Sequence, residues 1–344
     1  MLARRSRFST GLTALLLMVV ATSAEAADRP RLVLQITVDG LRGDLLQRYA
    51  AHFGRGGFRY LLEKGVVFTD AHHGHANTET IVGHATLATG AHPATHGQVG
   101  NVWYDKATGE LTYNIEDPDH PLLPTRVEAR EGAQVDPAQA AARTKGRSPR
   151  SLLVPTIGDT LATAVGPKAK VFGISGKDRS AVAMAGQVGK AFWFSTDTGD
   201  FQTSRYYYDE YPAWVRAWND ERRAERYAGQ QWALLLERSA YQWADRDDRP
   251  YEVDLKGYGR VFPHAFGEAS HPLFATRLLV SPVGDRLLKE FAIALIEAEA
   301  LGEDEVTDYL SVSFSGVDAV NHFFGVASLE NEDVVVQLLS LIHI

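Results

Sequence analysis

Three short runs of mostly apolar residues, each followed by polar side chains, constrain the fold of this 344-residue chain more than any other feature. They span residues 32–38, 170–175 and 309–314 and contain many β-branched or aromatic residues, as strands buried in a parallel sheet do. Ligands bind at the carboxyl ends of the strands in open α/β sheets. We therefore predict an α/β fold with a mostly parallel central sheet, helices on both faces, and a polar site at the strand ends.

Carboxylates and a histidine follow two of these strands. Asp39 ends the first run and is a candidate metal ligand or catalytic group, although an N-cap for the next helix explains it equally well. Asp318 and His322 follow the third run at positions i and i+4. That spacing places both side chains on one helical face, which suits two ligands of one metal ion.

Two cations, Lys177 and Arg179, follow the second strand. In an extended segment residues i and i+2 point the same way, so both cations could face one anion. A solvated turn is the alternative, and the pattern favours it unless other elements of a site are present.

A reactive hydroxyl is predicted at the beginning of a helix. Residues 80–89 are small or apolar, Gly90 ends the run, and polar residues 77–79 precede it. Thr80 then lies in the first turn, where free backbone N–H groups and the helix dipole favour an anion. Taken alone, the helix start is explained more simply by Thr78 or Thr80 acting only as an N-cap.

Two further polar features are ambiguous. His72, His73 and His75 could bind a metal, but Gly74 and the lack of a suitably spaced carboxylate favour a loop. Asn101 could donate its amide to a phosphoryl oxygen, or it could cap a turn before the aromatic pair that follows.

Composition narrows the chemistry. The chain has no cysteine, which excludes disulfides and thiolate sites and leaves His, Asp, Glu and hydroxyl groups as metal ligands. Its net charge of −8 argues against nucleic acid and against a polybasic membrane surface as partners. A small-molecule partner is therefore expected.

The first 26 residues are typical of a signal peptide. Arg4, Arg5 and Arg7 form a basic start, residues 12–20 are apolar but too few to span a bilayer, and residues 24–26 form an Ala-x-Ala cleavage site. We expect a periplasmic or secreted protein without membrane attachment after cleavage. An uncleaved anchor is the alternative.

The remaining chain is predicted to form one α/β domain with an insertion. Aromatic residues concentrate between 191 and 258 and indicate a cap, whose rings we interpret first as core and second as a substrate wall. Residues 106–150 are interpreted as a surface excursion. The predicted divisions are 1–26 (signal peptide), 27–190 (first part of the α/β domain), 191–275 (cap), 276–338 (continuation of the domain) and 339–344 (a truncated or non-native end).

Several ordered motifs together carry a family resemblance. The chain resembles the alkaline phosphatase superfamily, and within it the exported phosphate-irrepressible alkaline phosphatases related to type I phosphodiesterases and nucleotide pyrophosphatases. The motifs lie at residues 38–42, 80–84, 100–105, 173–179, 191–194 and 318–322.

The resemblance implies a function for each matched residue. Asp39 and Thr80 would bind one Zn²⁺ and Asp318 and His322 a second, whereas His84 is not a ligand in such families. Thr80 would also be the nucleophile, and a phosphothreonine would form during hydrolysis of a small phosphate monoester. The residues expected to hold the phosphoryl oxygens are Asn101, Lys177 and Arg179.

The sequence also departs from the family pattern. An Asp-His-Gly motif and a later histidine, which would complete the two zinc sites, are not found downstream, and residues 339–344 do not resemble the family. We therefore expect a truncated and inactive chain in which residues 334–344 are exposed or mispaired. Two alternatives remain for its function: a phosphodiesterase or nucleotide pyrophosphatase, and a non-catalytic, exported anion-binding protein or inactive fragment.

Overall fold

The computed structural model describes residues 29–125 and 135–341. The predicted signal peptide, residues 1–26, therefore lies outside the described residues. The strands are β1 (Leu32–Val38), β2 (Val102–Asp105), β3 (Glu110–Tyr113), β4 (Val171–Ser175), β5 (Lys190–Phe194), β6 (Phe201–Gln202), β7 (Gln231–Trp232), β8 (His264–Ala265) and β9 (Asp308–Phe314).

Helices connect these strands. Short 3₁₀ helices occupy Ala50–His52, Arg223–Tyr227 and Arg238–Ala240. The α-helices are α1 (Leu45–Arg48), α2 (Gly57–Lys64), α3 (Thr80–Thr89), α4 (Pro93–His96), α5 (Pro137–Ala140), α6 (Ile157–Val165), α7 (Asp178–Ala185), α8 (Ala213–Asp220), α9 (Phe274–Leu279), α10 (Pro282–Ala298), α11 (Gly316–Phe324) and α12 (Leu329–Leu341).

A five-stranded sheet with the order β1-β9-β4-β5-β6 forms the centre of the fold. β9 pairs in parallel with β1 and with β4, and β4 pairs in parallel with β5; only β6 is antiparallel. The three predicted strands are thus neighbours, and their carboxyl ends lie along one edge. The prediction of a mostly parallel α/β sheet is confirmed.

Helices cover both faces of this sheet, because alternate residues of a strand point to opposite sides. Phe192 and Phe194 of β5 belong to the larger core, which also contains residues of α10, α11 and α12. Ala191 and Trp193 belong to a smaller core with residues of α3 and α7. The two helical layers therefore pack against the sheet from opposite sides.

The aromatic residues of the predicted cap pack mainly as core. Phe201 stacks on Phe291 of α10 with 3.9 Å between ring centroids, and Trp218 meets the same ring edge to face. β5 and β6 are strands of the central sheet, so residues 190–194 and 201–202 lie in the α/β domain rather than in a separate cap.

Residues of α12 that were predicted to be exposed are buried, whereas the edge strand of the sheet is partly exposed. Val334, Val335 and Leu338 of α12 are buried in the larger core, so the expectation that this segment is exposed is wrong for them. Instead β1 lies at the edge of the sheet among the described residues, and Leu34 is 44% exposed. Residues 342–344 lie outside the described part of the chain.

Candidate active site

Thr80 is the first residue of α3, as predicted, and the helix ends at Gly90 in a left-handed conformation. Its side chain is nearly buried, and Oγ1 donates to Asp39 Oδ2 at 3.3 Å. The first turn of a helix presents unpaired N–H groups and the positive end of the dipole. This hydroxyl therefore lies in a position that favours negative charge on or near it.

Asp39 and Asp318 come together where β1 and β9 end. The Asp39 N–H donates to the Phe314 carbonyl at 3.0 Å, which extends the pairing of the two strands by one residue. Gly40 follows with φ +73°, and a Cβ there would lie 2.9 Å from the Asp318 Cα. Glycine thus allows the two chain segments to approach closely enough for both carboxylates to share one site.

α11 holds Asp318 and His322 on one face, as predicted, with His322 Nε2 3.3 Å from Asp318 Oδ2. Hydrogen bonding to this carboxylate raises the pKa of His322.

Sequence reasoning missed Asp285 of α10, whose Oδ1 accepts from the N–H groups of Ser315 and Gly316, both at 3.0 Å. A buried carboxylate thus satisfies the free N–H groups at the start of α11, and its burial raises the pKa of Asp285 to about 7.

Lys177 bridges the two carboxylates. Its Nζ donates to Asp39 Oδ2 at 2.9 Å and also to Asp318 Oδ2. Burial lowers the pKa of Lys177, but the charges of Asp39 and Asp318 outweigh burial and raise it overall, so the ammonium stays charged. Lys177 is thus the counter-ion of the carboxylates that were predicted to bind metal.

Arg179 does not lie in an extended segment beside Lys177. Lys177 is the extended residue before α7, and Arg179 lies within that helix, so the i and i+2 argument is wrong for this pair. Both side chains nevertheless line one cavity. The turn of the chain into α7, rather than the alternation of a strand, brings the two cations together.

An unexpected partner of Arg179 comes from the predicted surface excursion. Arg179 Nη1 donates to Asp136 Oδ2 at 2.6 Å, and the Tyr113 hydroxyl lies 3.5 Å from the same nitrogen. Arg179 is almost fully buried, and its Nε has no hydrogen-bond partner in the described structure. The sequence around Asp136 resembles a simple N-cap before Pro137, so no local signal indicated this contact.

Asn101 and His84 hold the helix that carries Thr80. Asn101 Oδ1 accepts from the N–H of Ile81 at 3.2 Å, which leaves its Nδ2 as the donor end of the amide. His84 lies 2.7 Å from the Thr80 carbonyl and 2.7 Å from Ser313 Oγ on β9. Burial lowers the pKa of His84, which favours the neutral ring in this bridge.

The predicted metal ligands fit zinc in kind but are few in number. Carboxylate, imidazole and hydroxyl groups are suitable zinc donors. Asp39 and Asp318 contact the Lys177 ammonium, and Thr80 and His322 contact these two carboxylates in turn. Yet the described residues contain no group of three or more His, Asp, Glu or Cys side chains that could hold an ion. The three histidines of residues 72–75 therefore form no such group either.

A cavity of about 350 Å³ opens beside these residues. It contacts Asn101, Lys177, Arg179 and His322, so three of the predicted phosphate-holding groups and one predicted metal ligand border a common space. Its size is within the range of sites for small organic molecules. The geometry accommodates an anionic small molecule at the carboxyl edge of the sheet.

The Lys177 bridge leads to a prediction about stability. Replacing Lys177 by Met should lower the free energy of unfolding in metal-free buffer by about 3 kcal/mol, because two largely buried carboxylates lose their counter-ion. Denaturant titration measures this change. Arg31→Met removes an exposed ion pair with Glu305 and serves as the control, with an expected cost below about 1 kcal/mol. Equal effects of the two substitutions would contradict the bridging function of Lys177.

Comparison with known proteins identifies the family. The sequence profile of the type I phosphodiesterase / nucleotide pyrophosphatase family matches residues 33–338, which is most of the chain. The chain belongs to this family. The predicted resemblance is thereby confirmed.

Two curated alkaline phosphatases are similar to this chain over most of its length. Alkaline phosphatase PhoV of Synechococcus elongatus is 34% identical over 312 residues, which cover 90% of this chain and 54% of PhoV. Alkaline phosphatase PafA of Elizabethkingia meningoseptica is 33% identical over 325 residues, which cover 93% of this chain and 57% of PafA. The chain therefore spans little more than half the length of these relatives.

The fold agrees with the family. A crystal structure of wild-type alkaline phosphatase PafA superimposes with a TM-score of 0.82 at 32% identity, covering 92% of this chain and 59% of that structure.

Among the residues that the structure describes, no helix combines the length and apolar character needed to cross a membrane.

Proposed function

We propose that this chain contains the nucleophile and the phosphate-holding residues of an enzyme that hydrolyses phosphate monoesters. The observation that carries the proposal is the placement of Thr80 at the N-terminus of α3, with Oγ1 3.3 Å from Asp39. A hydroxyl in that position can be activated by an adjacent carboxylate and stabilised by the helix terminus as it loses its proton. The alkaline phosphatase names of PhoV and PafA support the same reaction.

The proposed reaction has two displacements. Thr80 Oγ1 attacks phosphorus while its proton moves to Asp39, the bond from phosphorus to the ester oxygen breaks, and that oxygen takes a proton from solvent as the alcohol departs. Water then attacks phosphorus of the phosphothreonine and loses a proton to solvent, the bond from phosphorus to Thr80 Oγ1 breaks, Asp39 returns its proton to Oγ1, and inorganic phosphate leaves. Asn101 Nδ2, Lys177 and Arg179 would hold the phosphoryl oxygens, which become more negative as each displacement proceeds.

Zinc fits this proposal by donor chemistry. Asp39 with Thr80, and Asp318 with His322, would each provide two ligands of one of two ions. Bound zinc would supply positive charge that stabilises the ionised hydroxyl and the departing oxygen. Each ion needs further ligands beyond these pairs, since a catalytic zinc normally has three from the protein.

The proposal includes a monoester preference, because two cations suit the two negative charges of a monoester better than the single charge of a diester. In an active form, replacing either Lys177 or Arg179 by Ala should raise the activation free energy of monoester hydrolysis by about 3 to 4 kcal/mol. Diester turnover should decrease less. Such a form would join residues 27–338 to the part of PafA that the match does not cover.

The measurement compares p-nitrophenyl phosphate with methyl p-nitrophenyl phosphate on the same enzyme preparations. Taking the ratio of the two activities for each variant corrects for any loss of folded protein. Equal losses on both esters would exclude a selective function for the two cations.

Phosphodiesterase or nucleotide pyrophosphatase activity is the second candidate, because the family description names both. The unsubstituted fusion decides between the candidates, since a diesterase would hydrolyse the methyl ester faster than the monoester. We also propose that the protein acts outside the cytoplasm on a small phosphate ester, as the signal-peptide pattern of residues 1–26 indicates.

A further inference from the structure

The cavity beside Lys177 and Arg179 is lined by both charged and apolar side chains. Its polar lining includes Asn101, Lys177 and Arg179, the residues proposed to hold the phosphoryl oxygens, and Asp136, whose carboxylate accepts a hydrogen bond from Arg179. Thr196 and Thr276 also border it. The apolar part of its wall includes Val135, Phe194, Leu279, Val280, Ala319 and Phe323.

The apolar wall has a rigid support. Val135, Leu279 and Phe323 are only partly buried, yet all three pack against the larger core behind them. They come from three places in the fold: the segment before α5, the last residue of α9, and α11. Because their inner sides are held by the core, their outer sides remain available to an apolar group in the cavity.

The phosphate-holding residues and the apolar residues line the same cavity, which determines what part of a substrate each would bind. An ester whose phosphoryl group is held by Lys177 and Arg179 must place its alcohol part in the rest of the same space. Phe323 follows His322 directly on α11, so the apolar wall begins next to a residue of the reacting centre. The volume of about 350 Å³ is sufficient for an aromatic ring together with a phosphoryl group.

We propose that this cavity is a binding subsite for the alcohol part of the substrate and that it selects phosphate monoesters of aromatic or other apolar alcohols. The proposal rests on the proposed phosphatase function, because it uses the phosphate-holding residues as the anchor. It adds a substrate class, in which Phe323 and Leu279 determine specificity without taking part in bond breaking.

The test measures binding rather than turnover. Inorganic phosphate, methylphosphonate and phenylphosphonate are titrated into the purified 344-residue chain by calorimetry in buffer with excess zinc. The two phosphonates carry the same anionic group and differ in their apolar part alone. Phenylphosphonate should bind at least tenfold more tightly than methylphosphonate, which corresponds to about 1.4 kcal/mol.

Two variants test whether the apolar wall of the cavity causes the preference for phenylphosphonate. Phe323→Ser and Leu279→Ser should each reduce the affinity ratio of the two phosphonates to below threefold while methylphosphonate still binds. Val326→Ser is the matched control, because Val326 lies three residues beyond Phe323, is 45% exposed and does not line the cavity. It should leave the ratio unchanged.

The outcomes separate the two proposals. Equal affinities of the unsubstituted chain for both phosphonates would overturn the apolar subsite and leave the phosphate site in place. Failure of all three anions to bind would overturn the proposal that Asn101, Lys177 and Arg179 hold the phosphoryl oxygens, and the subsite with it. Since the unsubstituted chain alone gives the ratio, a variant that fails to fold does not prevent the test.

Discussion

Replacing Thr80 by Ala should abolish phosphatase turnover in the fusion of residues 27–338 with the part of PafA that the match does not cover, with a loss of roughly 10⁴-fold or more. Thr80 provides the only hydroxyl at the first turn of α3, and its Oγ1 donates to Asp39. Without it no phosphothreonine can form. The rate of p-nitrophenol release measures the loss, and mass spectrometry of acid-quenched protein detects the phosphorylated residue.

Two further variants make this experiment specific. Thr80→Ser retains a hydroxyl and should keep measurable turnover with phosphorylation at the same position. Thr89→Ala removes a hydroxyl at the other end of the same helix, where it bonds to the Ala85 carbonyl, and should retain nearly full turnover. Substantial activity of Thr80→Ala would show that another group attacks phosphorus.

The 344-residue chain alone should retain fewer than two zinc ions per molecule after desalting and should show no phosphatase activity above background. Asp39 with Thr80 and Asp318 with His322 supply two ligands per ion, and one of the four, Thr80, is a hydroxyl that must lose its proton to bind. Lys177 also holds its ammonium between the two carboxylates, where it competes with any cation. The expectation rests on this count of ligands among the described residues.

Metal analysis of a monodisperse sample, together with an assay on p-nitrophenyl phosphate, checks this result. The PafA fusion is the control and should retain about two zinc ions under the same treatment. Two tightly held ions and turnover in the 344-residue chain would refute the prediction. Such a result would mean that other histidines, such as His72, His73 or His75, complete the sites.

Local patterns in the sequence predicted the elements that carry the site. Apolar runs identified β1, β4 and β9 because strands buried on both faces must be apolar along most of their length. Gly90 and the polar residues before Thr80 defined α3, since a helix needs a cap at each end. The spacing of Asp318 and His322 predicted their shared helical face, because 3.6 residues per turn brings i and i+4 together.

Local sequence patterns did not predict the contacts between segments that are far apart in the chain. Lys177 was expected to face an anion, but its ammonium bridges Asp39 and Asp318, which lie 138 and 141 residues away. Asp136 was part of a presumed surface excursion, yet it pairs with Arg179. Neither contact has a local signature, because an ion pair depends on where two elements meet after folding.

The sequence by itself therefore determined the type of sheet, the order of the functional residues along the chain and the family to which the chain belongs. Periodicity, capping and short motifs are local properties, and they can be read from neighbouring residues. The tertiary structure alone decided which charges neutralise one another, which aromatic residues form the core, and that an apolar wall borders the phosphate-holding residues. These features arise from packing between segments far apart in sequence, where burial and distance decide which interactions form.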